Sequence, residues 1–241
     1  MDDQTDVARL QGMLLEQFRE EADAEQQLVQ IRTLMADLRK LFLYYEFGIE
    51  EVSTKIEILR KEFEQIHDYS PIEHVRGRLK SHESVFRKAL KCGCALTVDS
   101  IRGEITDIAG IRITCSFVSD VYWMAEMLSK QPDVTVLQTK DYIAEPKENG
   151  YRSLHLIVQI PVFLSTHTEY VPVELQIRTI AMDFWASIEH KLRYKYDSEL
   201  PEHLAEQISD SARVAAELDQ RMGLLRDEVR PSPNGGSDLR H

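Results

Sequence analysis

The sequence predicts an α+β domain, one β-sheet flanked by helices, with long helices at the N- and C-terminal ends. Two periodicities carry this. Leu154, Leu156, Val158 and Ile160 alternate with Ser153, His155, Ile157 and Gln159, and Val173, Leu175 and Ile177 alternate with Glu174, Gln176 and Arg178. Ile111, Ile113, Cys115 and Phe117 alternate in the same way with Arg112, Thr114 and Ser116. A repeat of two is the period of a half-buried strand. Toward both ends of the chain the apolar residues recur every three or four positions, the period of an amphipathic helix.

Side chains on a strand point alternately to opposite faces. Each of the three strands therefore has one apolar face and one polar face. If they join one sheet, Arg112, His155, Glu174 and Gln176 line a single polar surface.

In chain order, Val7, Leu10, Leu14 and Phe18 predict one helix, and Leu28, Ile31, Met35, Leu38, Phe42 and Tyr45 a second. After Gly48, the series Ile49, Val52, Ile56, Leu59, Phe63 and Ile66 predicts a third. Residues 68–71 read as a stop, because Pro71 cannot continue a helix and pushes its predecessor to an extended conformation. The chain is irregular around Gly77 and enters a helix near Ser81 or His82, anchored by Val85, Phe86 and Leu90. Arg78 and Lys80 precede that helix and Ser84 falls in its first turn, where backbone donors and the macrodipole favour phosphate. The plainer reading of these residues is a set of surface cations at a helix entry.

Residues 106–110 lead into the strand at Ile111, residues 121–130 predict a helix and 134–140 a strand, and a polar loop runs from Lys140 to Gly150. After the last strand, Ala181, Trp185, Ile188 and Leu192 form a helical stripe that assigns Trp185 to the core. Beyond Pro201, Leu204, Ile208, Ala212, Ala215, Leu218, Met222 and Leu225 predict a long final helix. The expected organisation is a helical extension over 1–30, one domain with its flanking helices over 31–230, and a disordered Pro/Gly/Ser-rich tail over 231–241.

At 241 residues, 43% hydrophobic and 29% charged, the composition is that of an ordinary globular protein. No apolar run is long enough to cross a bilayer and the first residues lack the pattern of a secretory signal, so a cytoplasmic protein without membrane partners is expected. Cys92, Cys94 and Cys115 make no disulfide framework and read as free thiols. The net charge of −12 argues against general binding to nucleic acid or acidic membranes. Between Arg76 and Arg112, however, eight cations stand against four anions. A basic island in an acidic chain suits a compact polyanion such as a nucleoside triphosphate.

Two carboxylates stand out. Asp107 lies just before a strand, and Glu174 lies mid-strand among apolar neighbours, where an unpaired charge is costly. A shared Mg²⁺ with phosphate oxygens satisfies both, since Mg²⁺ takes one or two carboxylates plus waters and phosphates. Two structural ion pairs satisfy them equally well, for example Asp107 with Arg112 and Glu174 with His155 or Arg178. There is no His-Glu-x-x-His pattern, no Gly-x-x-x-x-Gly-Lys-Ser/Thr loop and no Gly-x-Gly-x-x-Gly. A nucleotide enzyme built on this sequence holds phosphates by side chains and metal.

Four motifs bear a family likeness. Gly77-Arg78-Leu79-Lys80 with Ser84, Asp107-Ile108-Ala109-Gly110-Ile111-Arg112, Gly150-Tyr151-Arg152-Ser153-Leu154-His155 and Glu174-Leu175-Gln176-Ile177-Arg178-Thr179 resemble, in order and spacing, the synthetase domain of the RelA/SpoT family. The likeness is to its stand-alone small alarmone synthetases, in particular the RelQ-like branch, and covers roughly Thr33 to Val229. Residues 184–190 support it. The resemblance implies a nucleotidyltransferase-like mixed sheet. It also implies transfer of pyrophosphate from ATP to the 3′-hydroxyl of GDP or GTP, giving ppGpp or pppGpp and AMP.

By position, the resemblance implies that Arg78 and Arg112 sandwich adenine while Lys80, Ser84, Lys88 and Lys91 face the ATP phosphates. Asp107 and Glu174 hold Mg²⁺, and Glu174 also serves as base on the acceptor hydroxyl. Tyr151 stacks on guanine, with Lys140, Lys147, His155 and Gln176 around the acceptor nucleotide. A homotetramer assembled through the terminal helices is implied, with RNA or (p)ppGpp as candidate allosteric ligands. Lys91 stands where the family pattern has Arg, which keeps charge and loses a planar fork. His74 and Asp183 replace the aromatic residue and the Asn of the branch's activator cleft. No His-Asp metal pattern of the hydrolase half is present, so synthesis alone is expected. The alternative function is a catalytically silent oligomeric regulator that binds nucleotide or RNA on the same fold.

Glu174→Gln and Asp107→Asn are each expected to preserve the fold and lower turnover by at least about 10²-fold, the lower range for loss of a general base. Circular dichroism and steady-state rates on the two variants check this, and a folded variant with near wild-type turnover contradicts the assignment.

Overall fold

A computed structural model of the chain describes residues 24–66, 69–195 and 201–229. The helix expected over residues 7–18 and the tail over 231–241 lie outside the described residues, as does most of the extension over 1–30. The elements in order are α1 (Ala24–Ile66), β1 (Ile72–Leu79), α2 (His82–Cys92), α3 (Val98–Glu104), β2 (Ala109–Cys115), α4 (Val118–Ser129), β3 (Thr135–Asp141), β4 (Leu154–Phe163), β5 (Thr168–Thr179), α5 (Ile180–Lys195) and α6 (Glu202–Val229). The five strands form one mixed sheet in the order β1-β2-β5-β4-β3. Only β2 and β5 run parallel; the other three pairs are antiparallel. The α+β architecture with long terminal helices is the one the periodicities predict.

The apolar faces of β2, β4 and β5 meet α1 and α4 in one core. Ile113, Leu156, Val158, Leu175 and Ile177 join Leu38, Tyr45 and Ile56 of α1 and Val121 and Met124 of α4 there. Full burial of an aliphatic side chain contributes about 1.5–3 kcal/mol, so this face alone fixes the register of the central strands. A second, small cluster of Trp185, Ala186, Ile208 and Ala212 joins α5 to α6, with Tyr151 packed at its edge. Trp185 is buried as expected, and its Nε1 donates to the Ile208 carbonyl (3.1 Å) and to Ser211 Oγ (3.0 Å). All three cysteines are free thiols. Among the described residues no helix is long and apolar enough to cross a membrane.

Three elements differ from the sequence reading. The helices expected on either side of Gly48 are one continuous helix, α1. The apolar steps from Phe42 through Tyr45 to Val52 and Ile56 keep their register across Gly48. That glycine lets the helix approach β5, since a Cβ there would lie 2.8 Å from Val171 Cγ1. The irregular stretch around Gly77 is strand β1. At Gly77 the inward position carries no side chain because α1 crosses there, and a Cβ would meet Ile49 Cγ2 at 2.6 Å. The short helix α3 is new. Its Thr97 cap accepts from the Ser100 amide, and its single buried residue is Ile101, too little apolar signal to read as a repeat.

The α2 boundary agrees with expectation. Ser81 caps its N-terminus by accepting from the Ser84 amide, and Gly93 ends it in the left-handed region.

Gly150 ties the loop before β4 to α6. Its φ is +84°, and a Cβ would lie 2.4 Å from that of Ala212. Gly150→Ala combines left-handed strain with overpacking and is expected to cost about 2–4 kcal/mol. Urea denaturation of the variant against wild type measures this directly, and a loss under about 0.5 kcal/mol, the range of a neutral surface change, contradicts the packing described.

Candidate active site

The polar face of the sheet carries a transverse row of side chains. Pairing aligns Arg76 with Arg112, Arg112 with Gln176, Gln176 with His155 and His155 with Lys140, so one residue of each strand lies on one line across the face. Arg112, His155, Glu174 and Gln176 share that surface, as the alternation predicts. Over β1, β2 and β5 the face deepens into a cavity of about 560 Å³. Arg78, Lys80, Asp107, Arg112, Glu174 and Gln176 wall it, joined by Arg76 and His190, which the sequence reading did not single out.

Asp107 is gripped by two lysines. Lys80 Nζ donates to its Oδ2 at 2.7 Å and Lys88 Nζ to its Oδ1 at 2.8 Å. Burial alone raises the carboxyl's pKa, but the two ammonium groups outweigh it and hold the group below the usual carboxylate range. The pairing of Asp107 with Arg112 weighed above does not occur. Arg112 Nη1 instead lies 3.1 Å from Asp183 Oδ1, in the first turn of α5.

Glu174 is held differently. Its Oε1 meets His155 Nδ1 at 2.9 Å, and its Oε2 accepts from Gln176 Nε2 at 2.9 Å. Burial again pushes the pKa up, and the His155 and Gln176 contacts pull it below the usual range in spite of the nearby Asp107. Behind these two partners stands Arg178, only 2% exposed. Its Nη2 donates to Gln176 Oε1 at 2.7 Å and to Tyr151 Oη at 2.9 Å, while Tyr151 Oη lies 2.8 Å from His155 Nε2. Glu174, His155, Tyr151, Arg178 and Gln176 thus close a ring of hydrogen bonds. Glu174 with His155 is the partner choice the sequence left open, and Arg178 acts on it through neutral intermediates.

The remaining predicted residues lie around this centre. Ser84 sits in the first turn of α2 with its Oγ 2.9 Å from Ser81 Oγ. Lys88 and Lys91 follow on the same helical face; Lys88 reaches Asp107, whereas Lys91 is exposed in the last turn and does not wall the cavity. Lys140, Lys147, Tyr151 and His155 also stand outside the cavity, on β3, β4 and the loop between them. Lys147 Nζ lies 4.9 Å from the centre of the Tyr151 ring and 4.5 Å from that of Tyr142, an aromatic the sequence reading passed over. Burial raises the Tyr151 hydroxyl above its ordinary pKa, so it is a neutral donor and acceptor.

Both carboxylates face one cavity, and both are ionised at neutral pH. Among the described residues no group of three or more His, Cys, Asp and Glu side chains gathers into a metal site. Two ionised carboxylates beside a basic cavity instead suit an ion that shares its coordination with phosphates. The fold and this site define an enzyme of phosphoryl chemistry on a nucleotide.

The chain belongs to the RelA/SpoT family. Residues 77–199 match the family model described as the region found in RelA/SpoT proteins. The chain is similar to the GTP pyrophosphokinase YwaC of Bacillus subtilis, 44% identical over 199 residues that cover 83% of this chain and 95% of that protein. It is also similar to the crystal structure of the Bacillus subtilis small alarmone synthetase 1 bound to its product pppGpp. There the TM-score is 0.75 at 40% identity, over 81% of this chain and 99% of the other. The same synthetase bound to AMPCPP gives a TM-score of 0.71 at 36% identity, over 82% and 100% of the two chains.

Carboxyls that titrate below their unfolded values, about 4 for Asp and Glu, contribute stability that is present above those values and lost as pH falls through the folded ones. The unfolding free energy is therefore expected to drop below about pH 4. Asp107→Asn is expected to shallow that drop and to leave the slope between about pH 5 and 8 unchanged, because Asp107 binds no proton there in either state. Urea melts across a pH series test this; an unaltered acid slope in the variant contradicts the lysine grip on Asp107.

Proposed function

We infer that this chain is a GTP pyrophosphokinase that synthesises ppGpp or pppGpp, transferring pyrophosphate from ATP to the 3′-hydroxyl of GDP or GTP and releasing AMP. The observation that carries this is Glu174. A carboxylate held ionised and oriented at the wall of a basic cavity, on the polar face of the central strand, supports a base that takes a proton from a hydroxyl.

In this reading the 3′-oxygen attacks the β-phosphorus of ATP as its proton passes to a Glu174 oxygen. The bond from the β-phosphorus to the oxygen bridging the α-phosphate breaks, and that oxygen leaves with AMP. Arg78 and Arg112, on adjacent strands of the cavity, hold the adenine between their guanidinium planes. Lys80 and Lys88, with Ser84 and Lys91 along α2, take the ATP phosphates. Asp107 and Glu174 hold Mg²⁺, which when bound neutralises charge on the transferring phosphates. The fit rests on the donor set, since each carboxylate oxygen has a second acceptor site beyond its present hydrogen bond. Tyr151 stacks on guanine, and Lys140, Lys147, His155 and Gln176 surround the acceptor.

A silent regulator of the same fold is not favoured, because binding alone gains little from an oriented base beside a metal-holding carboxylate. The exposed apolar stripe Phe184, Ile188 and Leu192 on α5, with Leu218, Met222 and Leu225 on α6, supports a homotetramer assembled through these helices. The absence of a spanning helix among the described residues accords with a cytoplasmic enzyme.

Purified protein with ATP, GTP and Mg²⁺ is expected to yield AMP and a guanosine pentaphosphate in equal amounts, and the absence of both products overturns the reading. Tyr151→Ala is expected to raise the KM for GTP by the equivalent of about 1–3 kcal/mol, as base-on-aromatic stacking does elsewhere, with the KM for ATP little changed. Equal weakening of both nucleotides assigns Tyr151 to packing instead. Light scattering at micromolar concentration is expected to give a tetramer, and a monodisperse monomer contradicts the assembly.

A further inference from the structure

Arg178 does not line the cavity, yet among the described residues it is one of the most buried large side chains. A guanidinium in such a place has to be satisfied by its neighbours, and the neighbours it has are site residues. One nitrogen, Nη2, serves both Gln176 Oε1 and Tyr151 Oη. The other, Nη1, lies 3.4 Å from Asp183 Oδ1, the same oxygen that Arg112 approaches from the cavity side.

The donors in this network have one consistent direction. An ionised Glu174 only accepts, so His155 donates from Nδ1 and is left with Nε2 as an acceptor. The Tyr151 hydroxyl then donates to Nε2 and accepts from Arg178, which has no acceptor of its own. On the other arm Arg178 donates to the Gln176 carbonyl oxygen, which orients the Gln176 amide to donate to Glu174. Both arms begin on one guanidinium nitrogen and end on the two oxygens of one carboxylate. Removing Arg178 leaves the Gln176 amide free to flip and the Tyr151 hydroxyl free to rotate away from His155 Nε2.

We propose that Arg178 is a positioning residue for the reaction, fixing the orientation of the Gln176 amide and of the Tyr151 hydroxyl on His155 Nε2, and through them both oxygens of Glu174. This rests on the function inferred above only where turnover is measured. The geometry demands a guanidinium and not merely the charge, because a lysine side chain ends one bond short of Nη2 and has no second nitrogen to stay beside Asp183.

Arg178→Lys therefore tests it, alongside Tyr151→Phe, which deletes one arm without touching the buried charge. The first measurement needs no turnover. In wild-type protein labelled with ¹⁵N-histidine, the His155 signals, assigned with His155→Gln, are expected to report an Nε2 that accepts a hydrogen bond, and in both variants an Nε2 shifted toward the value of an imidazole nitrogen without a donor. The second is steady-state kinetics. Arg178→Lys is expected to lower kcat by at least tenfold with the KM for ATP within twofold, and adding Tyr151→Phe is expected to cost less than its own factor in wild type, because the arm is already broken. An unchanged imidazole spectrum in folded Arg178→Lys overturns the proposal, as do wild-type kcat or factors that simply multiply. Wild-type protein that makes no product overturns the inferred function, and the imidazole spectra then decide on Arg178 alone. If Arg178→Lys does not fold, Tyr151→Phe decides: an unchanged Nε2 signal there overturns the arm through Tyr151.

Discussion

The arrangement of the site depends on the ring that joins Arg178 to Glu174. Both charges sit on the polar face of β5, four residues apart, and each is largely withdrawn from water. Burying an ion costs several kcal/mol unless partners replace its hydration. A direct Arg-carboxylate fork is the strongest replacement available, yet it would engage both Glu174 oxygens with a permanent cation and leave a poor base. Here two hydrogen-bonded arms stand between the charges. Each Glu174 oxygen accepts one hydrogen bond and keeps a lone pair toward the cavity, so the carboxylate is oriented and still able to take a proton.

Asp107 shows the contrasting solution. Its two oxygens are bound directly by Lys80 and Lys88, with no neutral group between. That arrangement suppresses basicity and suits a carboxylate whose task is to remain an anion. The two acids of the cavity differ in what holds them: an amide and an imidazole for one, two ammonium groups for the other.

Much of this was legible in the sequence because a strand's period of two assigns faces without reference to any neighbour. Glu174, Gln176 and Arg178 fall on one face of β5 by counting alone, and His155 and Arg112 on the equivalent faces of their strands. What counting does not supply is register, which decides that Arg112, Gln176 and His155 stand in one row, or partner choice, which gave Arg112 to Asp183 and Asp107 to the lysines. Strand β1 escaped because its inward position at Gly77 is filled by Ile49 of α1, so the apolar residue that would complete the pattern belongs to another element. Arg178 was visible only as one possible partner for Glu174. Its burial depends on α5 closing over the end of β5, and no local pattern records that.

Tyr151 links the polar ring to the outer helices, and this sets which parts of the fold the site can feel. Its hydroxyl belongs to the ring, while the side chain packs at the edge of the small cluster of Trp185, Ile208 and Ala212 between α5 and α6. The glycine before it has no room for a side chain against Ala212. The large core beneath the sheet contains no residue of α6. The small cluster fixes the position of one phenol, and a hydrogen bond weakens steeply with misalignment. The exposed apolar residues of α5 and α6 lie on the same two helices, so in the inferred assembly contacts made there would meet Tyr151 through this cluster.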